Sequence, residues 1–484
     1  MRRAQQHRPH HRVRHRARAV SLAAGVVLSA ALVATASATA TAGTATGASG
    51  AAERGGAGPA TGRSPGSGPW AVPGTEPAAA GTDTEIPVEY FAGPGAHPRH
   101  TLVPARTPDR LAQGKGALTP AQQAADGEVT PIVRKGAEGD KVDVVFIGDG
   151  YTLEQQEDFH ADVRAKWAEI SAVQPYATYR NLFNVWSVDA VSRQSGVSGD
   201  PTKDVVKDTA LRSYFWCDDL ERLLCVDTAK VETYAAKAPD ADLVIVLSNS
   251  AKYGGAGYND LTSRPGYDGV ATASSDHPDS DQVAVHETGH SLGKLADEYF
   301  YPEFGTYTGA EPAASNATKL TAAELTAQRK KWYRWIGQTS PDGGTVGAYE
   351  GGDYYPKGIN RPTENSIMRT LGREFNLPGR EAMIAGFYRH ASVLTSRTGK
   401  DTVLGATTVL KVEVPESATV SWLVDGKEVT AAKGRTEITP RSLGVRADGR
   451  RHTVTARATD GTTAVKDPEL RKLLTDSRTW KAKG

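Results

Sequence analysis

Cysteine and methionine are almost absent from this chain, and neither sign of charge is in excess. Only Cys217 and Cys225 occur in 484 residues, which excludes a disulfide-stapled scaffold and a thiolate zinc site. Lys+Arg number 57 against 56 Asp+Glu, a formal net charge of +1. No bulk field therefore favours nucleic acid, and no nucleic-acid partner is expected. Beyond the first 40 residues no apolar run is long enough to span a membrane. No repeat is evident, and the length suits two or three domains.

The N-terminus carries the pattern of an export signal. Arg2 to Arg18 is basic, Ala19 to Val33 is apolar, and Ala36-Ser37-Ala38 is a small-residue cleavage site. Residues 1–38 are thus read as a general secretory (Sec-type) signal, with the chain secreted and not stably inserted in a membrane. Residues 39–85 are rich in Ala, Gly, Thr, Ser and Pro and are expected to form a spacer without a core.

Globular composition begins near Ile86, with Val88, Tyr90 and Phe91 in the first expected strand. We divide the rest into a β-rich segment (86–135), a larger α/β domain (136–398) and a small β domain (400–484). Val142 to Ile147 and Leu243 to Leu247 read as strands, the second a continuous apolar run suited to a central position. Phe159, Val163 and Trp167 mark a helix from Thr152 to about Ala172, and helices are expected near 321–337 and 379–396. Tyr253-Gly254-Gly255-Ala256-Gly257-Tyr258 is too glycine-rich for a regular interior element and reads as an edge strand or the rim loop of a cleft. After residue 400, alternating β-rich runs separated by Asp425-Gly426 and Asp460-Gly461 indicate an antiparallel, sandwich-like sheet around Trp422.

The chemistry is concentrated in His286-Glu287-Thr288-Gly289-His290. Residues i and i+4 share a helix face, so two imidazoles one turn apart are able to hold one metal ion. The glutamate between them stands where a base is needed. Zn2+ is the cofactor this pattern implies, with His286 and His290 as ligands and Glu287 as general base. Gly293, three residues past the second histidine, is where the helix is expected to stop and turn back. A third ligand is expected just beyond it. The tenth position after the first histidine is Ala296, which cannot bind metal, so Asp297 is the expected ligand and Glu298 the alternative. Met368, in Ser366-Ile367-Met368, suits a methionine turn beneath the histidines. Tyr299, Tyr354 and Tyr355 are weaker candidates for stabilising an oxyanion. Cys217 and Cys225 are expected to form a disulfide in an exported protein. Asn316-Ala317-Thr318 has the form of an N-glycosylation acceptor.

Several ordered segments extend the pattern: Val144 to Thr152, Phe183-Asn184-Val185-Trp186, Tyr253-Gly254-Gly255, His286 to Tyr299, Glu311-Pro312, Lys331-Trp332 and Glu350-Gly351-Gly352-Asp353-Tyr354-Tyr355. Together they resemble the IgA-peptidase family of secreted zinc metallopeptidases (metallopeptidase family 64). The family often has cysteines near the methionine turn, where this chain has Ser366, Asn376 and Gly379. The resemblance implies a metzincin-like zinc peptidase domain of α/β (α+β) class, with a twisted mixed sheet and an active-site helix, acting on a protein or peptide substrate. It does not imply that immunoglobulin A is cut. Two other readings share these residues: an inactive peptidase-like binding protein attached through its β domain, and a zinc hydrolase of a non-peptide amide or ester.

Overall fold

The computed structural model describes residues 85–111 and 116–484. The expected signal and nearly all of the spacer lie outside the described residues. Eight strands form one mixed sheet: β1 (Glu85–Phe91), β2 (Pro98–Pro104), β3 (Val129–Val133), β4 (Val142–Asp149), β5 (Phe183–Val188), β6 (Leu243–Ser248), β7 (Gly255–Thr262) and β8 (Asp268–Ser274). Their order across the sheet is β2-β1-β7-β8-β6-β4-β5-β3. The inner strands β8, β6, β4 and β5 are parallel, and the outer strands pair antiparallel. The segment 86–135 therefore supplies strands to both edges of the sheet rather than standing apart.

The apolar runs of β4 and β6 are buried on both faces because both faces are covered. On one face, α1 (Gln156–Ile170), α3 (Ser280–Ser291) and α5 (Leu377–His390) contribute Phe159, Trp167, Val285 and Phe387 to a cluster with Phe146 and Ile245. On the other, α2 (Thr228–Ala235) lays Val231 and Ala235 against Val145 and Val244. Phe159, Val163 and Trp167 do form one buried face of α1.

Two short motifs prove to be framing devices. Asp149, at the end of β4, accepts from Leu211 N–H (2.7 Å), Ser213 N–H (2.8 Å) and the Thr209 hydroxyl (2.9 Å), tying a long loop to the sheet. Gly150 follows at φ +77°, and a Cβ there would stand 2.3 Å from the Gly196 carbonyl, so only glycine fits. Asn184 and Trp186 both donate to Asp143 Oδ1, at 3.0 and 2.7 Å.

Three expectations need correction. The glycine-rich stretch is neither an edge nor a loop: from Gly255 it is the regular strand β7, third in the sheet, because the β1–β2 hairpin pairs along its outer side. The helix expected over 321–337 is only α4 (Ala322–Gln328), ended by Arg329 and Lys331 in left-handed backbone. Lys331 turns to donate to the Pro312 and Ala314 carbonyls, while Trp332 and Trp335 bury with Leu325 and Val346. The helix expected over 379–396 runs from Leu377 to His390, with the Asn376 side chain capping its N-terminus.

A two-stranded ladder, β9 (Tyr349–Gly352) and β10 (Tyr355–Arg361), precedes the C-terminal region. That region comprises β11 (Val403–Leu404), β12 (Leu410–Lys411), β13 (Ala418–Val424), β14 (Lys427–Glu428), β15 (Glu437–Ile438), β16 (Arg451–Asp460) and β17 (Thr475–Lys483). Five of these form a sheet in the order β11-β17-β16-β13-β14, and β12 and β15 form a separate ladder. The sheet is antiparallel except for the short parallel pair of β11 with β17. Trp422, Val454 and Trp480 belong to the same buried cluster as Phe387 and Phe146, so the region shares the core of residues 136–398. Polar contacts reinforce the junction: Tyr388 donates to Asp460 (2.7 Å), and Glu381 accepts from Asp467 N–H (2.7 Å) and Trp335 Nε1–H (2.5 Å). We therefore expect residues 85–484 to unfold in one calorimetric transition, and a chain ending at residue 398 to be insoluble or molten. A separate transition for residues 400–484 would show the shared core to be dispensable.

Candidate metal centre

The histidine helix α3 runs beneath β7 and β8, with His286 fully buried and His290 reaching a partly open face. Each imidazole is oriented from its far side. The His286 Nδ1 lies 2.9 Å from the Ile367 carbonyl, and the His290 Nδ1 lies 2.8 Å from the Leu295 carbonyl. A carbonyl only accepts, so both Nδ1 atoms carry hydrogen, which leaves the Nε2 atoms as the ends that could hold a metal. Those Nε2 atoms are 3.2 Å apart. Phe91 packs edge-on against the His286 ring, at 5.2 Å between centroids.

Asp297 joins this pair. Its Oδ1 is 3.2 Å from His286 Nε2 and 3.4 Å from His290 Nε2. Its Oδ2 accepts from the Tyr354 hydroxyl (2.8 Å). Glu298 points the other way, where it accepts from Asn316 (3.1 Å), Ser366 (2.8 Å) and Asn376 (2.9 Å). It thereby fastens the turn after α3 to the methionine loop, and it meets no histidine. Asn316 is buried and its side-chain amide also pairs with both backbone groups of Ala296, so the glycosylation-like motif there is structural.

Gly293 is not the left-handed residue of the helix exit; Lys294 is, at φ 51°. Gly293 is small because a Cβ would meet the Gly289 carbonyl at 2.7 Å and Met383 Sδ at 2.8 Å. Met368 lies beneath the helix as expected, with its Sδ 2.5 Å from where a Gly289 Cβ would be. Cys217 and Cys225 are bonded and buried. Among the tyrosine candidates, Tyr299 and Tyr354 reach the centre, whereas Tyr355 packs on Phe304 and Tyr307. Tyr354 and Asp353 hold left-handed backbone, φ 71° and 46°. Such strain is sustained at a site where a hydroxyl must be aimed. The segment is fixed by Asp353 N–H on the Asp297 carbonyl (2.8 Å) and Tyr354 N–H on the Tyr299 carbonyl (3.2 Å).

Glu287 is buried beside the pair and accepts from Asn259 (2.8 Å) on β7. Its other oxygen has no hydrogen-bond partner, and neither does Asp297 Oδ1. Gly257 makes room for it: a Cβ there would stand 1.9 Å from Glu287 Oε2.

Sequence reasoning missed Glu89 and His100. Glu89, on β1, places carboxylate oxygens 3.2 Å from His286 Nε2 and 3.4 Å from His290 Nε2. Tyr299 donates to it at 3.0 Å. His100, on β2, stands behind with Glu89 and Asp297. The one available signal was a glutamate set between Val88 and Tyr90 in a strand whose last four residues are all buried. Nothing local says that this strand meets α3.

The donor set fits a metal ion. Ligands about 2.0–2.1 Å from a tetrahedral zinc stand about 3.3–3.4 Å from one another. The five separations among His286, His290, Asp297 and Glu89 given above run from 3.2 to 3.4 Å. The Asp297 Oδ1, buried and turned toward both imidazoles without a well-formed hydrogen bond, is what a cation position leaves behind.

Charge burial points the same way. Burial by itself would lower the His286 pKa, but Glu89 and Asp297 outweigh it and push it up to about 10. Burial and the Asp297 charge raise Glu89, yet the two histidines bring it down to about 2. Burial, with the Glu89 charge next, pushes Glu287 up to about 8.

The family comparison agrees with this geometry. The chain matches the IgA Peptidase M64 model over residues 130–343 and 339–387. It belongs to that family. A family of metallopeptidases implies a hydrolase of protein or peptide substrates, and the buried histidine–carboxylate group is its candidate metal centre. No curated protein matches the chain. Among the described residues, no helix is long and apolar enough to cross a membrane.

Two outcomes follow for this M64 chain. Asp297→Ala is expected to weaken zinc binding by more than about 100-fold, measured by competition with a chelator. Glu298→Ala should instead lower thermal stability by about 2–4 kcal/mol through its unpaired amide and hydroxyl donors, with zinc content little changed. Equal zinc loss in the two variants would reverse the assignment. Because metal must displace protons from imidazoles whose proton affinity the neighbouring Asp297 and Glu89 carboxylates raise, apparent zinc affinity is expected to rise with pH. Calorimetric titration in buffers of different ionisation enthalpy reads the released protons directly.

Proposed function

We propose that the chain is a secreted, zinc-dependent endopeptidase with a metzincin-like centre. His286, His290 and Asp297 would hold the zinc. When bound, the metal supplies Lewis acidity that makes a water more acidic and polarises the scissile carbonyl. The protein's own contribution rests on Glu287. Its carboxylate is held by Asn259 on one oxygen and left free on the other, beside the ligand set. That free oxygen suits uptake of a proton from the attacking water and its delivery to the leaving amine. Burial brings this carboxylate's proton affinity toward neutral pH, a compromise between taking up the proton and giving it away.

Met368 beneath α3 and the Asp297 ligand after it support the metzincin-like subtype. The basic and apolar pattern of residues 1–38 supports export, and the buried Cys217–Cys225 disulfide belongs to an oxidising compartment. The observation that carries the proposal is the pairing of a three-ligand set with an independently anchored glutamate. An inactive scaffold would have no use for the second.

Zinc-loaded protein is expected to cleave casein or a peptide library, to stop with chelator, and to recover with zinc. Glu287→Gln should keep one zinc per chain and lose turnover by at least about 10²-fold. Gly257→Ala, whose Cβ displaces the Glu287 carboxylate, should act in the same way more weakly. Full activity in Glu287→Gln would assign the proton transfer to another group.

A further inference from the structure

We propose that Glu89 is a built-in plug: its carboxylate takes the fourth position at the metal, so that the folded chain is latent until that carboxylate leaves. This rests on the zinc-peptidase reading above. Catalytic zinc sites keep one position open for water or substrate, whereas four protein ligands make a closed site. Here the fourth vertex is filled by a side chain. Glu89 lies within 3.2–3.4 Å of both ligating imidazole nitrogens, at the separations that Asp297 also shows.

The plug comes from outside the catalytic frame. Family similarity begins at residue 130, whereas Glu89 sits 41 positions earlier, on the first described strand. Its strand lies where an extended substrate would lie. β1 runs antiparallel to β7 with Glu89 opposite Gly257, and Gly257 is the residue that lets Glu287 approach. Without β1, β7 would be the sheet's edge beside α3. A free edge next to a metal is the place where an extended peptide adds as a strand and presents a carbonyl to it. β1 thus fills the substrate's track as well as the water's position.

The attachments of Glu89 are specific to this arrangement. Tyr299 donates to its Oε1 at 3.0 Å, and His100, from the other strand of the same hairpin, lies 3.3 Å from the same hydroxyl. Phe91, two residues on, seals the His286 ring. The hairpin strands are tied to each other by seven register pairs, but β1 is registered to β7 at Glu89–Gly257 alone. β1 is held to the rest of the molecule mainly by side-chain packing, with Val88 and Tyr90 in the cluster of Val145 and Val244 and with Phe91 on Tyr253 and Val283.

The test uses the full chain loaded with Co2+ or Zn2+, as wild type, Glu89→Ala and Glu89→Gln. The first readout is the Co2+ visible spectrum titrated with acetohydroxamate, which reports whether the metal accepts an outside ligand. If the plug occupies at least about nine-tenths of molecules, either variant should bind acetohydroxamate, which needs only the metal position, about tenfold more tightly than wild type. Metal content should stay at one per chain in both variants, since His286, His290 and Asp297 remain. Glu89→Gln keeps the side-chain shape and guards against a folding failure in Glu89→Ala.

Loss of metal from both folded variants would make Glu89 an obligatory ligand and overturn the plug. Acetohydroxamate affinity equal to wild type would also overturn it, by showing the position to be open already. Tighter acetohydroxamate binding upholds the plug whether or not the variants hydrolyse peptide, because β1 still lies along the substrate's track; the peptidase reading fails separately, if zinc-loaded wild type and both variants all leave casein intact after β1 has been removed by limited proteolysis.

Discussion

Burying like charges together is the constraint on which this structure turns. Glu89, Glu287 and Asp297 lie in the interior within reach of two imidazoles. Carboxylates taken out of water at such spacing repel one another strongly unless positive charge lies between them. Two orphaned carboxylate oxygens and a histidine pair with its ligating nitrogens turned inward mark where that positive charge belongs. Protonated imidazoles would supply it without metal, and a bound cation would supply it in the centre proposed above, the two competing for the same nitrogens.

Much of the remaining architecture holds this charge cluster at fixed spacing. Gly257 and Gly289 bring β7 and Met368 into contact with α3 at distances that no Cβ would allow. Glu298, which sequence alone left as a rival ligand, fastens the exit of α3 to the methionine loop through three side chains. Tyr354 accepts a strained backbone so that its hydroxyl reaches Asp297. The motifs around Asp149 and Asn184 lock loops and strands so that these tolerances hold. The C-terminal sheet shares the core beneath α5 and thus belongs to the same rigid support.

The site has one donor more than hydrolysis needs. Three ligands and a base suffice for a water-activating centre, and a fourth carboxylate competes with the water. That surplus comes from a strand upstream of the region that defines the family, which separates the machinery from what covers it. On the plug proposal, a chain built this way would fold with its metal in place while its chemistry is held back.

What the sequence determined by itself was whatever local periodicity encodes. The i, i+4 spacing of His286 and His290, the intervening Glu287, the carboxylate after Gly293 and the apolar runs of β4 and β6 each follow from contacts within a few residues along the chain. The lengths of α4 and α5 did not, because Lys331 and the tryptophans beside it take partners far from their own helix. The choice of Asp297 over Glu298 required the structure, since adjacent acids are told apart only by Asn316, Ser366 and Asn376 arriving from elsewhere. Strand β7 looked like an edge, since its outer partner lies some 170 residues earlier. Glu89 was invisible for the same reason. Its role depends on a pairing between distant strands, and a single buried acid in a short strand carries no periodic signal until the sheet has brought it to the metal.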